Sequence, residues 1–261
     1  MHCRQNCCKA ALAVTLLVAA QVNADPISTD RPDFVESSDV VGRGHFQVEI
    51  GSAWQRFEEN GVETRTSTTP TLLRFGLNDS MELRLETDNA ITEETRKALG
   101  TFVESGFGDV SLGVKWHVAD AGETAGMPGI ALLLHTEIDS GSAAFRGNGY
   151  RPSFRLVTEW DLGDTSIGVM PGVYYDKSTL GRFWYGIMAV TVGHQLTENL
   201  RGFVEVAGQQ IASTKNGGKV VTYDLGLAYL INDSLQADVM VSIGANDNSG
   251  DSLGVGISRR F

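Results

Sequence analysis

Charged side chains recur at every second position in several parts of this sequence. The clearest example is the run Glu82-x-Arg84-x-Glu86, in which each intervening residue is apolar. In an extended strand these charges would lie on one face, about 6–7 Å apart, within reach of charges on neighbouring strands. Two kinds of chemistry are open to such a face. Its acids and bases can form an ion-pair ladder that fills a narrow barrel, or they can line a channel and select its ions.

Residues of the same polar phase occur in most segments that show this alternation, and acids outnumber bases among them. We predict that they line the lumen of a barrel, where the acid surplus would favour cations over anions. A second charged group precedes the first strand. It is predicted either to enter the barrel as a plug or gate, or to cap the periplasmic rim as a lead-in. The predicted lumen residues are Glu49, Arg74, Glu82, Arg84, Glu86, Lys115, His135, Glu137, Arg155, Glu159, Glu205, Asp224 and Asp238; the predicted plug residues are Asp30, Arg31, Asp33 and Glu36.

The histidines do not suggest a metal or catalytic centre. His117 and His135 share the lumen phase with carboxylates, but their spacing does not bring together the three or four ligands that a metal site needs. We therefore predict no metal and no cofactor. A barrel hydrolase would need a Ser–His pair on its lipid-facing side, and we expect neither such a partner for His194 nor a Gly-x-Ser-x-Gly nucleophile elbow. The prediction is that there are no catalytic residues and that the protein is not an enzyme.

The elements that must hold these residues are predicted to be β-strands. In the stretch from Phe46 to Trp54, apolar residues alternate with polar or small ones, which is the period of a strand with one dry face. The same period predicts twelve strands. They lie near 46–54, 71–77, 81–86, 110–118, 129–138, 152–162, 165–175, 183–196, 200–208, 219–231, 235–244 and 252–261.

The connections between these segments alternate in length. Short turns such as Asn78-Asp79-Ser80 alternate with longer polar links, which we place at about 57–68, 88–107, 139–151, 176–182, 209–218 and 245–251. Short turns, long loops and an even strand number are together typical of outer-membrane barrels. The predicted fold is all-β: a transmembrane antiparallel up-and-down β-barrel of about twelve strands, with 10–14 strands open.

The aromatic residues indicate which face is dry. A soluble sandwich or lipocalin-like barrel would alternate in the same way, with its apolar face inward. All four tryptophans lie on the apolar phase near segment ends, where two aromatic girdles would flank a lipid-facing band. The last strand also ends in an aromatic residue, Phe261, which we expect to be recognised by the barrel-assembly machinery. Membrane lipid is therefore a predicted partner.

The first 24 residues have the make-up of a cleavable secretory signal. Arg4 and Lys9 precede an apolar run at 11–20, and small residues follow up to Ala24. The predicted organisation is a signal peptide at 1–24, a periplasmic lead-in or plug at 25–43 and an outer-membrane barrel at 44–261. All three cysteines lie in the signal, so the mature chain would contain no disulfide. A formal charge of -11 argues against nucleic acid as a partner, because phosphate binding needs a basic face.

Three stretches carry a resemblance to a known family: 29–37 (TDRPDFVES), 42–51 (GRGHFQVEIG) and 106–116 (GFGDVSLGVKW). The chain resembles the outer-membrane transporters associated with the meta-pathway of phenol degradation. Val35 departs from the Thr expected there. The resemblance implies passive uptake of small molecules, among them aromatic or other hydrophobic compounds, across the outer membrane of a Gram-negative bacterium. A polar solute would run through the lumen and a hydrophobic one would leave sideways. A structural barrel is the alternative, and an outer-membrane hydrolase is a weaker one.

Overall fold

The computed structural model describes residues 26–122, 126–147, 149–178, 181–210 and 218–261. The predicted signal peptide at 1–24 lies outside these residues. Regular structure in the described part of the chain is β throughout. No helix in that part is long and apolar enough to cross a membrane.

Fifteen strands are found among the described residues, and each pairs antiparallel with its neighbours. They are β1 (Phe46–Glu59), β2 (Val62–Thr68), β3 (Thr71–Gly76), β4 (Met81–Thr87), β5 (Ala90–Lys97), β6 (Gly100–Phe107), β7 (Val110–Ala119), β8 (Gly129–Ile138), β9 (Arg151–Asp161), β10 (Thr165–Ser178), β11 (Gly181–Thr197), β12 (Leu200–Gln209), β13 (Val220–Asn232), β14 (Leu235–Gly244) and β15 (Asp251–Arg260).

The sheet closes on itself as an up-and-down barrel. β15 pairs with β1 along ten residues, from Gln47↔Arg260 to Arg56↔Asp251. The closed wall consists of twelve of the described strands: β1, β3, β4 and β7 to β15. The sequence prediction of an all-β, twelve-stranded antiparallel barrel is therefore confirmed. Closure gives the wall strands a partner on both edges, which a backbone surrounded by lipid requires.

The prediction of polar loops at 57–68 and 88–107 is wrong, because most of these residues form β-strands. The upper end of β1 pairs with β2, β2 with β5, and β5 with β6, and these elements extend beyond the wall. We call Arg56–Glu59, β2, β5 and β6 the outer flap. Its strands were missed because both of their faces are wet, so Thr, Glu and Arg fill positions on both phases and the hydrophobic period disappears. Short interruptions at 69–70, 88–89 and 108–109 separate the flap from the wall.

The wall has an apolar outside and a mostly polar inside. Large aliphatic and aromatic side chains such as Leu134, Trp184 and Leu225 are exposed on the outer surface. Charged side chains of the opposite phase, including Arg74, Lys115 and Glu82, are completely buried. This is the arrangement of a barrel that faces lipid, and the reverse of a soluble barrel.

Candidate functional site

Residues 26–43, which we call the inner segment, lie inside the barrel. Near the start of the segment, Ile27 N donates to the carbonyl of Asp233 in the β13–β14 turn at 2.9 Å. Just beyond its end, Gly44 N donates to the carbonyl of Gly76, next to the β3–β4 turn, also at 2.9 Å. Both turns belong to the short-turn end of the barrel. The segment therefore enters and leaves the lumen through the same end.

Asp30 lies at the centre of a buried charge cluster. Its carboxylate accepts from Arg84 Nη1 at 2.5 Å and from Lys115 Nζ at 2.8 Å, and lies 3.3 Å from Arg74 Nη1. Burial alone would raise the pKa of Asp30, but Arg74, Lys115 and Arg84 hold it well below its usual range. Asp30 is thus a charged link between the inner segment and three wall strands, β3, β4 and β7.

Wall acids complete this cluster. Arg74 contacts Glu49 at 3.0 Å and Glu82 at 2.8 Å, and Glu82 also contacts Arg84 at 2.9 Å. Buried cations and anions that are paired in this way are costly to separate: removing one partner typically costs about 3–5 kcal/mol because the other charge is left uncompensated. At this height the lumen is filled by ion pairs.

Glu36 forms a second link toward the outer end of the barrel. Its carboxylate contacts Arg155 of β9 and lies 3.0 Å from Arg84 Nη2. Glu86 lies between the same two arginines, 2.9 Å from Arg84 and 3.7 Å from Arg155. His135 Nδ1 lies 3.6 Å from Glu86. In the Glu-x-Arg-x-Glu run, Arg84 therefore contacts both of its neighbouring acids directly, and it also contacts Asp30 and Glu36 of the inner segment.

Several wall carboxylates bind the backbone of the inner segment. Glu205 accepts from Phe34 N and Val35 N, both at 2.8 Å. Glu159 accepts from Ser38 N at 3.1 Å, and Glu82 from Val41 N at 2.9 Å. A short segment without regular structure has backbone donors that need partners, and these acids supply them. The sequence does not predict these bonds, because every residue except proline carries a backbone N–H and its residue type does not show which N–H a carboxylate will bind.

The remaining predicted residues lie apart from the central cluster. Asp238 contacts Arg31 at 3.0 Å. Asp33 contacts Arg201, a further wall base on the predicted lumen phase, at 3.2 Å. Asp224 accepts from Thr222 Oγ1 at 3.2 Å. All four predicted plug residues thus contact wall side chains. The hydrogen bond of Asp224, by contrast, is to a residue of its own strand, β13.

Glu137 lies near the outer mouth and contacts Arg151, which the sequence analysis did not single out. Asp109 binds the same arginine at 2.5 Å. Asp109 also accepts from the backbone N–H groups of Gly141 and Gly147, both at 2.7 Å. These bonds fix the loop at 139–147 against the end of β7. Asp109 lies one residue before β7 and has the polar phase of Ser111 and Gly113, which predicts a position on the lumen side.

One sector of the lumen is apolar, contrary to the expectation of a polar lining. Val35 of the inner segment packs there against small and aliphatic wall side chains. Residues 130–134 are consecutively apolar, which is typical of a strand with two dry faces. The alternating pattern shows that one face meets lipid, but it does not show that the lumen face of this strand is apolar as well. The buried wall residues of this cluster are Ala131, Leu133, Val157, Met170, Ile187, Ala189 and Ala207.

The inner segment divides the lumen into separate cavities. A cavity of about 510 Å³ lies on its outer side, and residues Asp30 and Glu36 form part of the floor. Phe34, Leu72 and Phe145 are apolar lining residues of this cavity, and Arg151 is among its charged ones. Two cavities of about 250 and 360 Å³ lie on the short-turn side of the segment. Arg31, Asp33 and Glu36 line both the outer cavity and the 250 Å³ cavity, so the inner segment lies between the two.

Neither a metal site nor a nucleophile elbow is formed by the described residues. No group of three or more His, Cys, Asp or Glu side chains in them is arranged to hold a metal ion. Contrary to the expectation from sequence, the stretch 250–254 (GDSLG) does match the Gly-x-Ser-x-Gly spelling. It forms the start of β15, where Ser252 is paired in register with Gln55 and Ser242. The strand continues along the wall, so the strand-to-helix turn that makes such a serine nucleophilic is missing.

A closed twelve-stranded wall with an apolar outside defines the class: this chain is an outer-membrane β-barrel. It belongs to the family described as "Putative MetA-pathway of phenol degradation", whose model matches residues 29–261. The match covers both the barrel and most of the inner segment. No protein of curated function matches the sequence.

Solved structures share the fold. An outer-membrane channel from Pseudomonas putida F1 superposes with a TM-score of 0.63 at 10% identity, covering 86% of this chain and 98% of the channel. The translocator domain of the autotransporter NalP from Neisseria meningitidis has a TM-score of 0.55 at 11% identity, covering 87% and 90%. The NanC porin has a TM-score of 0.51 at 10% identity, covering 81% and 98%. At these identities the likeness concerns the architecture.

Proposed function

We propose that this protein is a channel for passive uptake of small molecules across the outer membrane, and that the inner segment is its gate. The observation that carries the proposal is the position of the inner segment, which lies in the lumen between the outer cavity and the short-turn cavities and lines cavities on both sides. A solute crosses through the lumen only when this segment moves. Ion pairs and backbone hydrogen bonds hold the segment, and both can re-form after it moves.

The solutes we propose are aromatic or other hydrophobic small compounds. Family membership supports this class, and so do the apolar lining residues of the outer cavity. Deeper support comes from Tyr174 and Tyr185, whose rings stack in the lumen with centroids 5.1 Å apart and pack against the apolar cluster around Val35. Flat apolar compounds fit such a wall better than hydrated ions do.

A sideways exit for hydrophobic solutes is a second route. β7 pairs with β8 up to Val110↔Ile138, but its continuation, β6, pairs with β5 alone among the described strands. The wall therefore ends early between β6 and β8, beside the outer cavity. The loop at 139–147 covers this notch, and Ser142 bonds both backbone groups of Phe107 at 2.9 Å.

The gate can be tested with a disulfide, because the mature chain is predicted to lack cysteine. A Cβ atom at position 168 would lie 3.8 Å from the Cβ of Val35, the usual separation in a disulfide. In V35C/G168C the oxidised protein should be held closed. We expect single-channel conductance and uptake of small aromatics in proteoliposomes to be low when oxidised, and to recover in reductant. The single variants V35C and G168C are the controls.

Equal flux through the oxidised and reduced double variant would contradict a moving gate. If the parent carries no ion or aromatic solute at all, and neither does a variant without residues 25–41, the protein is a structural barrel and the channel proposal fails. Hydrolysis of lipid or ester substrates by the purified parent would instead favour an enzyme.

Further parts of the proposal concern targeting. A cleavable signal at 1–24 would direct the chain to export, and Phe261 would serve the barrel-assembly machinery at the end of β15. Phe261 N donates to the carbonyl of Phe46 at 2.8 Å, which supports a defined position for the terminal aromatic ring at the seam. Nucleic acid is not a proposed partner, given the formal charge of -11.

A further inference from the structure

Two rows of outward side chains cross the seam of the barrel at its outer end. The lower row runs through Ser67, Trp54, Leu253 and Val241, which are neighbours in register on β2, β1, β15 and β14. Residues that lie directly opposite each other share a face of the sheet, so this row faces outward with Trp54. Except for Ser67 it is apolar, as expected for side chains at the edge of the lipid band.

The upper row is charged on β2, β1 and β15, while its β14 member, Ile243, is apolar. Two residues further along each strand, Arg65 lies opposite Arg56, and Arg56 lies opposite Asp251. The change from apolar to charged within one step, about 6–7 Å, marks the boundary between hydrocarbon and headgroups. A groove of about 470 Å³ lies on the outside of the barrel across both rows. We call it the boundary groove; Trp54, Val241, Leu253, Arg56, Arg65 and Asp251 are among its lining residues.

Glu63 holds the two arginines in place. Like charges directly opposite each other on neighbouring strands repel. Here Glu63 contacts Arg56 Nε at 2.6 Å and Arg65 Nε at 2.9 Å. Glu63 takes the Nε of each guanidinium, and Glu58 takes Nη2 of Arg56 at 3.1 Å. Nη1 of Arg56 and the terminal nitrogens of Arg65 remain to face another acceptor. The two side chains are 57% and 49% exposed.

We propose that the boundary groove binds a phosphorylated, acylated glycolipid of the outer leaflet. Its phosphate accepts from the terminal nitrogens of Arg56 and Arg65, and an acyl chain lies against Trp54 and Leu253. Paired guanidinium groups match the oxygens of a phosphate, and lipid is the medium that surrounds this face of an outer-membrane barrel. Asp251 opposes a bound phosphate, although its carboxylate is already occupied by the N–H of Gly244 at 3.0 Å.

The test uses the full mature protein in detergent micelles, titrated with diphosphoryl lipid A and followed by native mass spectrometry. We expect the double variant R56Q/R65Q to bind lipid A at least about tenfold more weakly than the parent, because it loses two charge-assisted contacts. Arg96→Gln is the matched control: Arg96 lies on the same flap and also contacts Glu63, at 3.5 Å, but does not line the groove. Asp251→Asn should bind more tightly than the parent.

Three outcomes would overturn the proposal. One is equal lipid A binding by the parent and R56Q/R65Q while both show the heat-modifiable mobility of a folded barrel. Another is equal binding of dephosphorylated lipid A by the parent. The third is equal or tighter binding of phosphatidylglycerol, which would assign the groove to a phospholipid. If R56Q/R65Q fails to fold, the pair R56K and R65K, which keeps charge but loses the planar fork, gives the same comparison.

Discussion

At the scale of single residues, Asp30 concentrates the chemistry of the lumen. One carboxylate meets three buried cations, Arg74, Arg84 and Lys115, each on a different wall strand. If Asp30 were protonated, the three buried cations would lose one of the negative charges that compensate them. The position of the inner segment therefore depends on the charge of a residue that belongs to the segment itself.

We predict that Asp30→Asn weakens the barrel by about 3–5 kcal/mol near neutral pH, the usual cost of removing one partner of a buried ion pair. The pKa of Asp30 is lowered in the folded state, so its contribution is complete above the ordinary value of about 4 and is lost as the pH falls through the lowered value. The difference in thermal stability between parent and D30N, measured from pH 7 to pH 3, should thus shrink on acidification.

Asp39→Asn is the control for this experiment, because Asp39 lies on the same segment with an exposed side chain. It should match the parent throughout the pH range. A difference between D30N and the parent that is absent, or that stays constant down to pH 3, would show that the Asp30 charge does not hold the segment.

At the scale of elements, the fold combines a regular wall with two irregular parts. The outer flap continues some of the wall strands beyond the lipid band, and the loop at 139–147 lies in the notch between β6 and the end of β8. Asp109 is the residue that joins them. Burial would raise its pKa, but hydrogen bonds from Gly147, Gly141 and Ser140 and the charge of Arg151 lower it.

We predict that Asp109→Ala releases this loop from the wall. The variant loses the acceptor for three backbone N–H groups and one arginine. Hydrogen–deuterium exchange at 139–147 should rise by at least about tenfold while the wall strands keep their protection, since each lost charged hydrogen bond is worth about 1.5–3 kcal/mol. Asp139→Ala, which removes an exposed pair with Arg146 at 3.8 Å, should leave exchange unchanged. Unaltered exchange in D109A would remove Asp109 from this role.

At the scale of the whole molecule, stability depends on which surface meets lipid. Leu225 lies on the outer face of β13, is 62% exposed and sits near the middle of its strand. Lipid covers such a residue, so its exposure to solvent in the isolated barrel is exposure to hydrocarbon in the membrane.

Leu225→Arg should therefore cost about 2–4 kcal/mol of unfolding free energy in lipid vesicles, measured by denaturant titration. Leu99→Arg is the matched control: Leu99 is 97% exposed at the tip of the outer flap, outside the lipid band, and its replacement should cost close to nothing. An equal cost at both positions would mean that β13 does not face the hydrocarbon core at Leu225.

The sequence by itself determined the wall. Alternation with period two identifies a strand whose two faces meet different surroundings, and this holds for the wall strands between lipid and lumen. It also identified charges such as Arg84 and Glu86 that do pair. The period is lost where both faces are alike. β2 and β5 are wet on both sides and were predicted as loops. The strand at 129–138 was predicted, but the apolar lumen side that Leu133 contributes was not.

Only the tertiary structure decided how the lumen is filled. The pairing of Asp30 with three strands, or of Glu205 with two backbone donors, depends on the path of residues 26–43, which have no periodic structure to reveal it. Long-range partners of this kind, up to 207 residues apart for Arg31 and Asp238, are brought together by closure of the barrel. A pattern of buried charges indicates that each charge needs a partner. Which residue becomes that partner depends on how the closed barrel and the inner segment place the side chains in space.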